Sequence, residues 1–346
     1  MAGLGEAKKL NEIYIITGLL LLTAGMIDFL WTTLWLESGA GPITRCLSAW
    51  LWKGCRKISG DHAKVLSMAG PLLLCLTLVI WIILFWGGWF LIFSSDPHSL
   101  VETQSKEPAS WSDRIYFSGY VMFTLGNGDL APNGDLWKLV TVIETAQGLL
   151  TITFSVTYLI SVLSAVNQKR SFAQSVLSLG RDGTEIVQNA WNGKDFHNID
   201  FLLVAISSEL GKLTAQHNAF PILHFYHSTQ RQESSIIAVT VLDEALTILK
   251  YGIPEQYQPN QLHIKETRSS IKNYLDTVHT AYIHSAEQAP PEPDISKLQQ
   301  SGIPALSKQT FQTAVNSLKE RRQLLLGVVQ AGARKWPVQE QTIDNG

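Results

Sequence analysis

Apolar positions dominate three stretches of this chain. They are "IYIITGLLLLTAGMIDFLWTTLWL" from Ile13 to Leu36, "VLSMAGPLLLCLTLVIWIILFWGGWFLIF" from Val65 to Phe93, and "LWKLVTVIETAQGLLTITFSVTYLISVLSAV" from Leu136 to Val166. Each exceeds the ~20 residues that a helix needs to cross the hydrocarbon core, so three membrane spans are predicted. The third is the most polar, with Glu144, Gln147 and many hydroxyls, which suits a helix facing protein or water more than lipid. Between the first two spans, "ITRCLSAWLWKGCRK" sets Ile43, Leu47, Trp50 and Leu51 on one helical face, largely apart from Arg45, Ser48 and Lys53. That pattern predicts a short amphipathic helix at the membrane surface.

Between the second and third spans the pattern changes twice. "PASWSDRIYFSGYVMF" comes first, where Ser110 and Asp113 have capping-box spacing. The helix predicted from Trp111 to Phe123 is ~20 Å long at 1.5 Å per residue, too short to cross. It is followed by "TLGNGDLAP", Thr124 to Pro132, and then by the third span. A short helix that enters, stops and returns leaves irregular backbone at membrane depth. Such backbone is tolerated only when buried in protein or lining a water-filled cavity. Gly126 and Gly128 lack a Cβ and can take positive φ, so successive carbonyls can face one way. Rings of such carbonyls from several chains can replace an ion's water shell.

Beyond Val166 no strand alternation is found. Helical periodicity appears in Ile199–Thr214, Ser234–Leu249 and Leu262–Ile283, with a further helix from about Lys308 to Val329. Gly183, Asn192-Gly193, Pro221, Gly252, Pro254 and Pro259 punctuate this region, and "EQAPPEPD", Glu287 to Asp294, reads as a linker. The expected fold is an all-α membrane protein: three transmembrane helices plus a re-entrant pore helix and filter, followed by an all-α cytoplasmic domain. The expected domains are residues 1–64 (first span and interfacial helix), 65–166 (pore domain) and 167–346 (helical cytoplasmic domain).

Composition sharpens this picture. Hydrophobic residues make up 46% of the 346 residues and charged residues only 16%, low for a soluble protein. A net charge of -2 gives no reason to expect nucleic-acid binding. Cys46, Cys55 and Cys75 are too few for a disulfide framework, and no zinc spacing appears. Lys8 and Lys9 resemble the charged start of a signal peptide, but the apolar run that follows is longer than the ~7–15 residues of a signal core, and no A-x-A site follows, so it is read as a retained span.

Arg45, Lys53, Arg56, Lys57 and Lys64 lie between the first two spans, and Lys169 and Arg170 follow the third. By the positive-inside rule the N-terminus is expected outside and the C-terminal domain in the cytoplasm, in a multi-pass protein of the cell membrane. The first two spans carry no regularly spaced arginines, which argues against a voltage sensor.

The order span, capped short helix, Thr-x-Gly-x-Gly-Asp, span closely resembles the pore domain of the potassium channel family, over roughly residues 65–166. That family carries Thr-Val-Gly-Tyr-Gly-Asp; this chain has Thr124, Leu125, Gly126, Asn127, Gly128 and Asp129. The resemblance implies that these six residues form an ion-binding selectivity filter for potassium, with no cofactor and no catalytic step. It also implies a homotetramer in a lipid bilayer. Gly148, about two dozen residues beyond Thr124, matches the family's flexible inner-helix glycine and is expected to be a gating hinge. Asn127 departs from the family, whose aromatic residue there braces the filter from behind. Its amide can bond to a neighbour such as Tyr116 or Tyr120. The departure opens a second reading, a non-selective cation channel. A third is a non-conducting sensor or scaffold with channel architecture.

Glu144 is read either as a support for the filter or as an ordinary interhelical hydrogen-bonding group. Asp28 in the first span is expected to reach the interface or pair with another helix. Ile152, Val156, Ile160 and Ser164 share an i, i+4 stripe that can line an inner cavity or face lipid. His217, His224 and His227 lie near Glu209, and surface or core roles compete there with metal binding and pH sensing. A membrane-anchored enzyme built on that cluster would hold tight metal. The soluble region carries no nucleotide-binding glycine turn, P-loop or nucleophile elbow, so any cytoplasmic regulator is left open.

Overall fold

The computed structural model describes residues 2–35, 39–59, 63–279 and 285–337. Leu36, the expected end of the first span, and residues 280–283, the expected end of a soluble helix, lie outside them. Among the described residues the fold is all-α apart from one short strand pair. Two compact units are present, one of Met1–Leu51 with Pro71–Ser161 and one of Trp52–Gly70 with Val162–Gly346.

The first unit draws on α1 (Ala2–Leu34), α2 (Pro42–Ser59) and α3 (Ala63–Ser94), then β1 (Leu100–Glu102), α4 (Trp111–Met122), β2 (Leu130–Pro132) and α5 (Asp135–Leu177). Three of its helices, Lys9–Leu34, Leu66–Ser94 and Asp135–Leu177, are long and apolar enough to cross a membrane. The 43 residues of α5 extend ~64 Å at 1.5 Å each, about twice the ~30 Å hydrocarbon core.

Small residues let α1 and α3 approach closely. A Cβ at Gly18 would lie 2.8 Å from the carbonyl oxygen of Gly88, and one at Gly88 would lie 3.1 Å from that of Gly18. Below this crossing Phe29 sits edge-on to Trp81 at 4.9 Å, in a cluster with Phe85 and Met122. Asp28 does pair with another helix. Its Oδ1 accepts from the backbone N–H groups of Ile43 (2.7 Å) and Thr44 (3.0 Å), and its Oδ2 from the Thr44 hydroxyl (2.6 Å) and Trp81 Nε1 (2.9 Å). The carboxylate thus caps the N-terminus of α2, where unsatisfied N–H groups and the helix dipole favour an anion. On α2 Thr44 and Ser48 are buried toward this contact, whereas Trp50 is 72% exposed.

The second unit continues with α6 (Gly183–Ala190), α7 (Asp200–Ala219), α8 (Ser235–Tyr251), α9 (Gln261–His279), α10 (Ser296–Gln300), α11 (Lys308–Ser317) and α12 (Lys319–Ala331). Gly183 does not interrupt a helix; it opens α6, which Asp182 caps. Buried residues occur on every face of α8, making it the axis of the core. Two acidic residues in that helix are matched by two arginines of α12. Arg321 holds Asp243 with two nitrogens, and Arg322 lies 3.4 Å from Glu244.

The single helix expected from Lys308 to Val329 is two helices. The chain tightens at Leu318, whose N–H donates to Val315, and α12 turns so that both arginines meet α8. The proline-rich stretch is docked rather than free, since Arg322 Nη2 donates to the carbonyl of Pro291 at 2.6 Å and Gln323 Nε2 donates to that of Glu287 at 2.8 Å.

Candidate ion pathway

The chain enters the glycine segment from α4. Ser110 and Asp113 form the expected capping box, each side chain bonded to the other's backbone N–H. Phe117, Tyr120, Val121 and Met122 are buried and fix the helix in place. At its C-terminus the backbone tightens: Phe123 N–H donates to Gly119 (3.0 Å), Thr124 N–H to Val121 (3.0 Å) and Leu125 N–H to Tyr120 (2.8 Å).

From there positive φ recurs at every second residue: +58° at Thr124, +62° at Gly126 and +80° at Gly128. Glycine takes this conformation without penalty, whereas a β-branched threonine does so rarely and only where its surroundings hold it. Alternation of hand along a chain turns successive peptide groups the same way, unlike the alternating carbonyls of a strand. Among the described residues no hydrogen bond reaches the carbonyls of Thr124, Leu125, Gly126 or Asn127. All six residues from Thr124 to Asp129 are exposed in the single chain, Leu125 by 67%.

Three ties hold this segment. Asn127 Nδ2 donates to the Tyr116 hydroxyl at 2.5 Å, which fixes the residue that departs from the aromatic pattern. The Tyr120 hydroxyl donates to the carbonyl of Leu130 at 3.1 Å. The third tie was missed in the sequence. β1 and β2 pair antiparallel across the segment, Val101 opposite Ala131, and Thr103 beyond β1 donates from its hydroxyl to Gly128 (2.8 Å) and from its N–H to the Asp129 carbonyl (2.9 Å).

Glu144 and Gly148 lie one turn apart on α5. A Cβ at Gly148 would collide with the carbonyl of Met122, so the glycine lets α5 press against the end of α4. The helix runs through Gly148 without a break. Glu144 is fully buried, and neither carboxyl oxygen has a hydrogen-bond partner among the described residues. Further along α5, Ile152, Val156, Ile160 and Ser164 are all exposed in the single chain.

The three histidines are not brought together as a metal site, and among the described residues no group of three metal-ligating side chains exists. His227 instead stacks on Trp52 (5.1 Å, 10°), His224 meets the same ring edge-on, and His217 is buried with Nδ1 3.1 Å from the Leu213 carbonyl. Burial, reinforced by the Lys169 charge, pushes His217 down to about 3 and His224 down to about 4. Both are therefore neutral at physiological pH.

Comparison with known proteins agrees with this geometry. Residues 76–165 match the family described as "Ion channel". The chain is 93% identical over 336 residues to the "Uncharacterized membrane protein YdjJ" of Bacillus subtilis (strain 168), a match covering 97% of this chain and 98% of that protein. No solved structure gives a significant match. Three helices long and apolar enough to cross a membrane, a capped short helix ahead of the glycine segment and both sequence matches lead to one conclusion: the chain is a membrane protein that belongs to the ion channel family matched at residues 76–165.

Proposed function

We propose that four copies of this chain form a potassium-selective channel. The observation that carries the reading is the alternation of hand at Thr124, Gly126 and Gly128, with four consecutive carbonyls unbonded and exposed in the single chain. Exposed irregular backbone is untenable in lipid. A four-fold ring supplies what it lacks, covering the segment with neighbours and stacking the carbonyls of Thr124, Leu125, Gly126 and Asn127 into cation sites. Asp129 then stands at the outer mouth, and the stripe from Ile152 to Ser164 lines the inner cavity. Gly148 is the pivot for opening, and Glu144 backs the filter. The N-terminus lies outside, and residues 167–346 form a cytoplasmic domain that couples a signal to the gate.

Selectivity follows from how well the ring is held. Asn127 cannot fill the volume of an aromatic ring, but its bond to Tyr116 supplies a brace of another kind. A non-selective cation pore is the second reading, favoured if that brace is too weak. Flux into liposomes decides between them, with potassium and then sodium as the permeant cation. Potassium flux alone supports the proposal, and equal fluxes establish the non-selective pore. Absence of flux from the full chain, from a truncation after Val166 and across a range of membrane voltages sinks both.

A further inference from the structure

Lys169 is a buried cation with no counter-charge among the described residues. It is 9% exposed and donates to the carbonyls of Leu223 (2.8 Å) and Tyr226 (3.0 Å). An ammonium has three donors, and neutral carbonyls occupy two of them without offsetting the charge. No carboxylate among the described residues lies within ion-pair distance of it. Burying a cation in this way is costly, so an anion from outside the chain would find its site already desolvated.

The space beside Lys169 fits that expectation. A cleft lined by Lys169, Arg170, Arg334, Glu233, Ser234 and Ser235 encloses about 20 Å3 and opens to solvent. That inner space admits one oxygen-sized group. The lining includes two guanidinium groups, Arg170 and Arg334, and one carboxylate, Glu233. Arg170 Nε lies 3.5 Å from Glu233, whose Oε2 also accepts from the Ser228 hydroxyl at 2.7 Å. Arg334 is fixed by the carbonyls of Ser228 (2.5 Å) and Gln230 (3.5 Å). The N-terminus of α8 also lines it through Ser234 and Ser235; the cap residue Ser234 accepts from the Ile237 N–H at 3.5 Å. Helix N-termini attract anions, and guanidinium forks match phosphate oxygens.

We propose that this cleft binds a phosphoryl group, one oxygen entering toward Lys169 while the others face Arg170 and Arg334. Among the described residues the lining carries Lys169, Arg170 and Arg334 with one carboxylate, Glu233, a positive character that suits a phosphoryl group. The group comes either from a soluble phosphate compound or from a lipid headgroup. Its contact with the Val166–Arg170 segment of α5 makes it a candidate ligand for gating, a consequence that rests on the channel reading; binding itself does not.

The test is therefore a binding measurement that needs no ion flux. The full chain is placed in nanodiscs of neutral phosphatidylcholine and its thermal stability followed against inorganic phosphate, with potassium chloride at matched ionic strength as reference. Saturable stabilisation by phosphate alone is expected, about tenfold weaker in Arg170→Gln. Glu233→Gln is expected to bind several-fold more tightly, because the competing carboxylate is gone; damage to the fold would move both variants the same way. If stabilisation appears only in discs containing phosphatidic acid, with the same opposite responses, the source is a lipid headgroup. No stabilisation in either disc, or stabilisation that neither variant alters, overturns the proposal.

Discussion

Tyr116→Phe tests whether a side-chain amide has taken over the work of an aromatic brace. The change removes only the hydroxyl that accepts from Asn127 Nδ2. The ring contact with Tyr120, at 5.0 Å between centroids, is retained by phenylalanine, and Tyr116 is 44% exposed in the single chain, so the fold itself loses little. A net hydrogen bond contributes about 0.5–1.5 kcal/mol. If 1 kcal/mol of that restraint opposes the adjustment of the filter around a smaller ion, its loss raises relative sodium permeation about fivefold, since 1.4 kcal/mol is tenfold. In the proposed four-fold assembly, repetition raises the effect further. The assay is the sodium-to-potassium flux ratio in liposomes, for Tyr116→Phe and for Asn127→Ala, which removes the same bond from its other end. Both variants are expected to lose selectivity while total cation flux persists. A selective channel whose flux ratio is unchanged in both would refute the reasoning and assign the restraint to the backbone and Thr103 alone.

Gly148→Ala drives a methyl group into the Met122 carbonyl, and overpacking of this kind costs about 1–3 kcal/mol, so the variant is expected to melt earlier and to yield less assembled protein on size exclusion. Asp28→Ala leaves four donors without their acceptor, at about 1–3 kcal/mol for each that stays buried, and hydrogen exchange is expected to report early opening of α2 at Ile43 and Thr44. Acid should weaken the C-terminal unit through its buried histidines. With folded values near 3 and 4 against an ordinary 6.5, His217 and His224 bind more protons unfolded than folded, so their contribution is complete above pH 6.5 and lost as the pH falls toward those values. Glu244, raised by burial to about 7, slopes the other way between about pH 4.5 and 7, so the difference between the parent and His217→Asn isolates the histidine. That difference should change by about 3 kcal/mol between pH 6.5 and pH 4, and a flat one would show that His217 is protonated without penalty.

Much of the pore was legible because its determinants are local. The spans follow from run length, the short helix from Ser110 and Asp113, and the glycine segment from residues that tolerate positive φ. Thr124 shows where that local reasoning stops. Nothing in its own chemistry favours a φ of +58°, and the conformation depends on the bonds around it. The strand pair was invisible because three-residue strands leave no alternation to read, and Thr103 reaches Gly128 across 25 positions. The break at Leu318 has no glycine or proline to announce it; beyond it Arg321 and Arg322 meet a pair of acidic residues on α8, each 78 positions from its arginine. The histidines misled as a cluster because sequence proximity concealed Trp52, around which two of them gather.

Asp28 also has a bearing on how the protein is made. A carboxylate within a membrane segment raises the cost of insertion by about 2.5–3.5 kcal/mol when it lies at the centre. Its first acceptable partners, the N–H groups of Ile43 and Thr44, follow only 15 and 16 residues later. At ~5–20 residues per second they leave the ribosome within about 1–3 s. Trp81 arrives 53 residues behind Asp28 and completes the set. The carboxylate's oxygens thus gain their donors in two stages during synthesis, first from the start of α2 and then from α3, so the order of emergence from the ribosome is also the order in which these helices can be fastened together.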